Sequence, residues 1–145
     1  MNRLILLVYL ILAKTALFAQ SNVVKWDYAA TKVSDNVYNL EIKAGVQSPW
    51  HIYSLSSPDG GPLPTKINFN KNPLVTLQGE TTEKGKLIQK HEEVFDVDVK
   101  YFDGNVIFTQ TIKLKTKVEG SIEFMACNEA QCLPPMTINF SIPVQ

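Results

Sequence analysis

Ile122-Glu123-Phe124-Met125-Ala126-Cys127-Asn128-Glu129-Ala130-Gln131-Cys132-Leu133-Pro134-Pro135-Met136-Thr137-Ile138-Asn139-Phe140-Ser141-Ile142 is two alternating runs joined by a cysteine-bearing tip. Ile122 and Phe124 flank Glu123, while Ile138, Phe140 and Ile142 alternate with Asn139 and Ser141. A period of two marks strands with one buried face and one wet face. Matching the buried faces sets Ile122 opposite Ile138 and Phe124 opposite Met136. Pairing Cys127 with Cys132 needs a register one residue away, and a one-residue slip turns every side chain to the wrong face. A break must therefore lie between Phe124 and Met136. Pro134 and Pro135, which cannot donate to a ladder, are its natural place.

The same alternation runs upstream. Val24, Trp26 and Tyr28 share a face, as do Tyr38, Leu40, Ile42 and Ala44. Val106 and Phe108 begin another run, which Ile112, Leu114 and Val118 continue. Shorter strands are expected at 66–70, 75–78, 85–90 and 95–102. Turn chemistry separates them at Asp35-Asn36, Pro58-Asp59-Gly60-Gly61-Pro62, Asn72-Pro73, Asp103-Gly104-Asn105 and Glu119-Gly120. No segment carries a helical period. Eight or nine short strands imply an all-β fold, an immunoglobulin-like antiparallel β-sandwich, with a closed barrel as the alternative. Two connections exceed what hairpins need, Ser54–Pro64 and the segment around His91–Asp96. Long loops on a rigid scaffold are where function concentrates.

The N-terminus reads differently. Met1-Asn2-Arg3 is basic, Leu4–Ala13 is apolar, and Thr15-Ala16-Leu17-Phe18-Ala19 ends in small residues. This pattern predicts a signal peptide over 1–19, cleaved after Ala19, with one domain over 20–145. The apolar run is shorter than the roughly 20 residues that span a bilayer, so no stable membrane insertion is expected after cleavage. Residues 20–145 hold twelve lysines, no arginine and fourteen acids. That balance excludes the basic face a nucleic-acid binder requires.

Export makes a Cys127–Cys132 disulfide the default state. As a staple it is poor. A loop this short removes only about 2 kcal/mol of unfolded-chain entropy, and a domain of this length buries enough surface to fold without it. An exposed, exchangeable bond suits the tip better. Two rivals stand beside it: a binding module with an inert disulfide, and a copper carrier using the soft donors Met125, Cys127, Cys132 and Met136. His51, His91 and Glu92-Glu93 are weak signals on their own.

The C-x4-C-x-P-P tip resembles the N-terminal periplasmic domain of the thiol–disulfide interchange protein DsbD. Leu40-Glu41-Ile42-Lys43 followed by Trp50-His51-Ile52-Tyr53 is similar to that family's aromatic-ended strand. His91-Glu92-Glu93-Val94-Phe95 is similar to its cap loop. The resemblance implies a domain that takes electrons from a thioredoxin-like donor and passes them to exported thioredoxin-like acceptors, cytochrome c biogenesis among the processes served. It implies no cofactor and no metal, and a periplasmic location. On it, Cys127 and Cys132 are the redox pair, with Cys132 as the attacking thiol. Phe95 is the shield, and Glu93, His51 and Tyr53 tune the surroundings. His51 and Val94-Phe95-Asp96-Val97 depart from the family's tyrosine-rich, glycine-containing pattern. The chain carries neither the membrane segment nor the C-terminal thioredoxin domain of the full-length family protein, and so reads as a free-standing version.

Overall fold

Alternating residues zip into two antiparallel sheets in the computed structural model, which describes residues 23–114 and 116–144. Among these residues the strands are β1 (Val24–Ser34), β2 (Val37–Val46), β3 (His51–Tyr53), β4 (Lys66–Phe69), β5 (Val75–Glu92), β6 (Val97–Leu114), β7 (Val118–Phe124), β8 (Ala126–Cys127) and β9 (Met136–Ile142). The large sheet runs β1-β2-β6-β3-β8, with β5 on the other edge of β6. The small sheet is β4-β7-β9. The expected signal peptide, residues 1–19, lies outside the described residues.

The core lies between the sheets. Leu40, Ile42 and Ala44 of β2 and Val106, Phe108, Ile112 and Leu114 of β6 face Ile122, Phe124, Phe140 and Ile142 of the small sheet. Each is at most 5% exposed. Fully burying such side chains stabilises by about 1.5–3 kcal/mol each, and it is this term that pins the register. The β7–β9 ladder pairs Ile122 with Ile138 and Phe124 with Met136, as the alternating faces require.

Four boundaries differ from the sequence reading. Asp103-Gly104-Asn105 is not a turn. β6 continues through it, with Gly104 at φ 104°. Its outer neighbour changes there from β3 at Phe102 to β2 at Asn105. Glycine at positive φ lets a strand bulge and re-aim without stopping. The short strands expected at 75–78 and 85–90 are likewise one strand, β5, with register shifts between Gln78 and Thr82 and between Gly85 and Leu87. The strand expected from 95 begins at Val97. Glu119-Gly120 lies inside β7, and the break falls between Leu114 and Val118. Gly120 serves close approach instead: a Cβ there would sit 2.2 Å from the Asn68 carbonyl oxygen.

Gln110 occupies an inward position of β6 at 3% exposure. Its Nε2 donates to the carbonyls of Gln78 (3.2 Å) and Thr111 (2.9 Å), and its Oε1 accepts from Thr81 Oγ1 at 2.8 Å. The buried amide is satisfied, and it holds the bulged stretch of β5.

Candidate functional site

After Phe124 the chain changes sheets. β7 belongs to the small sheet, whereas β8 pairs with β3 in the large one. Met125 is the crossing residue. On the return, Pro134 and Pro135 carry no ladder before Met136 re-enters the small sheet. The register change demanded by the cysteines falls in this gap.

Period two then decides which way each residue faces. In β8, Ala126 packs into the main core and Cys127 does not. In β3, Ile52 joins the core, leaving His51 and Tyr53 on the opposite face. In β6, Phe102 points inward, while Val97, Val99 and Tyr101 belong to a second cluster with Tyr53, Cys127 and Met125. The cysteine site is thus a small apolar patch on the outer face of the large sheet. The β3–β8 ladder sets His51 directly opposite Cys127, and the β3–β6 ladder sets Tyr53 opposite Tyr101.

Cys127 and Cys132 are bonded, with Sγ–Sγ 2.02 Å and Cα–Cα 4.0 Å. The two ends of the bond are unequal. Cys127 is 2% exposed, whereas Cys132 lies at the surface. The loop between them also has its own bonds. Leu133 N donates to Ala126 O at 2.8 Å and Asn128 N to Gln131 O at 2.9 Å. Asn128 Oδ1 accepts from the backbone N–H groups of Ala130 and Gln131, each at 2.9 Å.

Two loops border the patch. The 54–64 connection lies against it, since a Cβ on Gly61 would be 3.0 Å from Val97 and 3.4 Å from Val99. That connection is tied down by Ser54 N to Lys100 O (2.9 Å) and by the Glu83 carboxylate, which accepts from Leu55 N (2.9 Å) and from the Ser54 hydroxyl. The second border is the β5–β6 hairpin. Phe95 N donates to Glu92 O at 3.2 Å across its tip, and Asp96 takes φ 52°. His91 Nδ1 lies 2.8 Å from Asp98 and Nε2 lies 3.4 Å from Asp96. Lys90 Nζ reaches Glu129 of the cysteine loop at 3.4 Å, linking the hairpin to the disulfide tip.

The rings beside Cys127 form a connected set. His51 Nε2 is 3.1 Å from Tyr53 Oη. The His51 ring lies over Tyr101 with centroids 4.3 Å apart and meets Tyr53 edge-on at 5.3 Å. Burial holds the His51 pKa below its usual value; the carboxylates Glu129, Glu92 and Asp103 act against that shift and Lys90 adds to it. Burial pushes Tyr53 up to about 12, with Glu92, Tyr101 and Glu129 adding to the shift.

The structure therefore brings Cys127, Cys132, His51 and Tyr53 together. Phe95 is 49% exposed in the hairpin turn, outside both apolar clusters and outside β6. Glu93 is also exposed in that turn. From this hairpin it is Glu92, not Glu93, whose charge reaches His51 and Tyr53. Glu92 pairs with Val97 and so shares the outer face. Tyr101, Lys90 and Glu129 were not singled out as site residues by sequence reasoning. Position alone could have flagged Glu129, since it lies between the cysteines. The methionines separate: Met125 packs beside Cys127, and Met136 packs against the main core. The soft donors are not gathered on one face.

Chemically, this is a disulfide with one reachable sulfur and one sequestered sulfur beside a polar aromatic group. The family described as "Thiol:disulfide interchange protein DsbD, N-terminal" matches residues 19–143. The chain belongs to this family. It is a thiol–disulfide exchange domain with a disulfide-forming cysteine pair. The fold agrees. The DsbD N-terminal domain of Neisseria meningitidis in its reduced form superposes with TM-score 0.63 at 13% identity, over 90% of this chain and 92% of that one. The N-terminal periplasmic domain of ScsB from Proteus mirabilis gives 0.61 at 13% identity, over 88% of this chain but 48% of that one. No curated protein matches by sequence. The sheet change at Met125 turns Cys127 away from the core.

Proposed function

We propose that this domain carries reducing equivalents between exported thioredoxin-like proteins through Cys127 and Cys132. The observation that carries the reading is the unequal burial of the two cysteines. A partner thiolate approaches from the Cys132 side and forms the mixed disulfide there, while Cys127 leaves into the apolar patch. When the reduced domain passes electrons on, Cys132 is the attacking thiol. Nothing at the tip resembles the helix N-terminus that activates thioredoxin-type cysteines. The domain is therefore slow toward small thiols and fast only with a docked partner. Phe95, at the tip of the tethered hairpin, acts as the shield on the approach. Tyr53 and His51 hold the Cys127 side, and Glu93 contributes charge at the rim.

Membership of the DsbD N-terminal family supports thioredoxin-like partners. The periplasmic ScsB domain supports the same compartment for this chain, as does the basic-then-apolar start ending at Ala19. Trapping tests the reading. Cys127→Ala leaves Cys132 without its partner, so exported thioredoxin-like proteins should become disulfide-linked to it. If Cys132 captures none of them while the Cys127→Ala protein stays folded, the carrier role is wrong.

A further inference from the structure

Exchange at Cys132 delivers negative charge to Cys127, in a place poorly able to accept it. The partner's thiolate bonds to Cys132 Sγ as the Cys127–Cys132 bond breaks, and the electron pair goes to Cys127 Sγ. The partner's second thiolate then displaces Cys132. The partner ends as a disulfide and this domain as a dithiol. The two protons of the partner's thiols arrive, by way of solvent, on Cys127 and Cys132. In between, a bare thiolate sits beside Val97, Val99 and Met125, cut off from water. An unpartnered charge in such surroundings is costly.

The groups facing that sulfur can be taken element by element. β6 offers Val97, Val99 and Tyr101, with Asp103 beyond. β5 shares the face through Ile88, Lys90 and Glu92, which pair with Tyr101, Val99 and Val97. Lys90 is engaged by Glu129 at 3.4 Å. Glu92, Glu129 and Asp103 repel a thiolate. β3 offers Tyr53 and His51, and His51 is the residue directly across the ladder from Cys127. Such cross-strand pairs hold their Cβ atoms about 4.5–5.5 Å apart.

We propose that His51 is the hydrogen-bond donor and proton carrier for Cys127, which deepens the exchange reading above and rests on it. Tyr53 stays protonated at neutral pH, so its hydroxyl can donate to His51 Nε2 at 3.1 Å. A neutral ring that accepts at Nε2 carries its proton on Nδ1, as a donor. Tyr101, its ring tilted against His51 with centroids 4.3 Å apart, limits how the ring can turn. In the oxidised protein burial keeps the ring neutral. A thiolate opposite reverses that preference, because an adjacent anion favours the imidazolium. His51 thus binds a proton as Cys127 is released and gives it up when the bond reforms.

The test follows the His51 ring by NMR across pH in the oxidised protein and in protein reduced after unfolding and refolded. In the reduced protein the His51 ring signals should shift a second time over the pH range in which the Cys127 thiol ionises, a step the oxidised protein should lack. In a Cys132→Ala background the lone Cys127 thiol, followed by thiolate absorbance, should titrate about one unit or more higher when His51→Phe is added. A His51 titration identical in both redox states overturns the proposal. So does a Cys127 titration that ignores His51→Phe. The ring measurement uses the unmodified sequence, so it decides even if the variant does not fold. A folded Cys127→Ala protein whose Cys132 traps no thioredoxin-like protein counts against the exchange reading, and is read separately from either titration.

Discussion

Reducing Cys127–Cys132 should cost this domain little, and the structure says how little. The bond closes a loop with four residues between the cysteines. Chain-entropy arithmetic for so short a loop gives about 2 kcal/mol. The native side of the balance changes less. Four backbone-donated hydrogen bonds hold the tip independently of the sulfurs: Leu133 to Ala126, Asn128 to Gln131, and Ala130 and Gln131 to Asn128 Oδ1. Cys127 keeps its place beside Tyr53 and Val99, because the β3–β8 ladder holds Ala126 and Cys127 by their backbone. The main core contains neither cysteine. A domain of this kind is stable by about 5–15 kcal/mol. Reduction should therefore leave it folded, with the unfolding free energy lowered by roughly 2 kcal/mol and the denaturant slope unchanged. The assay is paired urea melts of oxidised and reduced protein, with thiols counted before and after. A loss above about 4 kcal/mol, or a lowered slope, refutes the reasoning, since the disulfide would then be holding the fold together.

Three further outcomes are expected. Phe95→Ala should cost about 1 kcal/mol, half of a full burial term, against 3–5 kcal/mol for a core phenylalanine. It should also speed reduction by dithiothreitol; strong destabilisation with an unchanged rate would place Phe95 in the core. Tyr53 should ionise near 12, above the ordinary tyrosine value of 10.0. Its raised pKa stabilises the fold fully below pH 10 and is lost as pH rises toward 12, so Tyr53→Phe should flatten that alkaline decline in melts followed by tyrosinate absorbance. Gly120→Ala should destabilise by several kcal/mol, since its Cβ would meet the Asn68 carbonyl at 2.2 Å; a melting temperature equal to the parent's would show that the strands part freely there.

Alternation was enough to establish an all-β sandwich and the Ile122–Ile138 register, because burying one face of each strand leaves one pairing that keeps apolar side chains inside. It also showed that the register must break between Phe124 and Met136, and the family resemblance followed from the residues within that gap. The length of β6 could not be read this way. Asp103-Gly104-Asn105 has turn composition, and only the paired neighbours on both sides decide that Gly104 bulges rather than turns. The outer-face position of Cys127 depends on the chain changing sheets at Met125, a long-range event with no local signature. The same holds for the contrast between buried Cys127 and exposed Cys132, and for Glu92 rather than Glu93 facing His51. Adjacent residues in a hairpin look alike in sequence, and strand pairing decides which of them points at the sulfur.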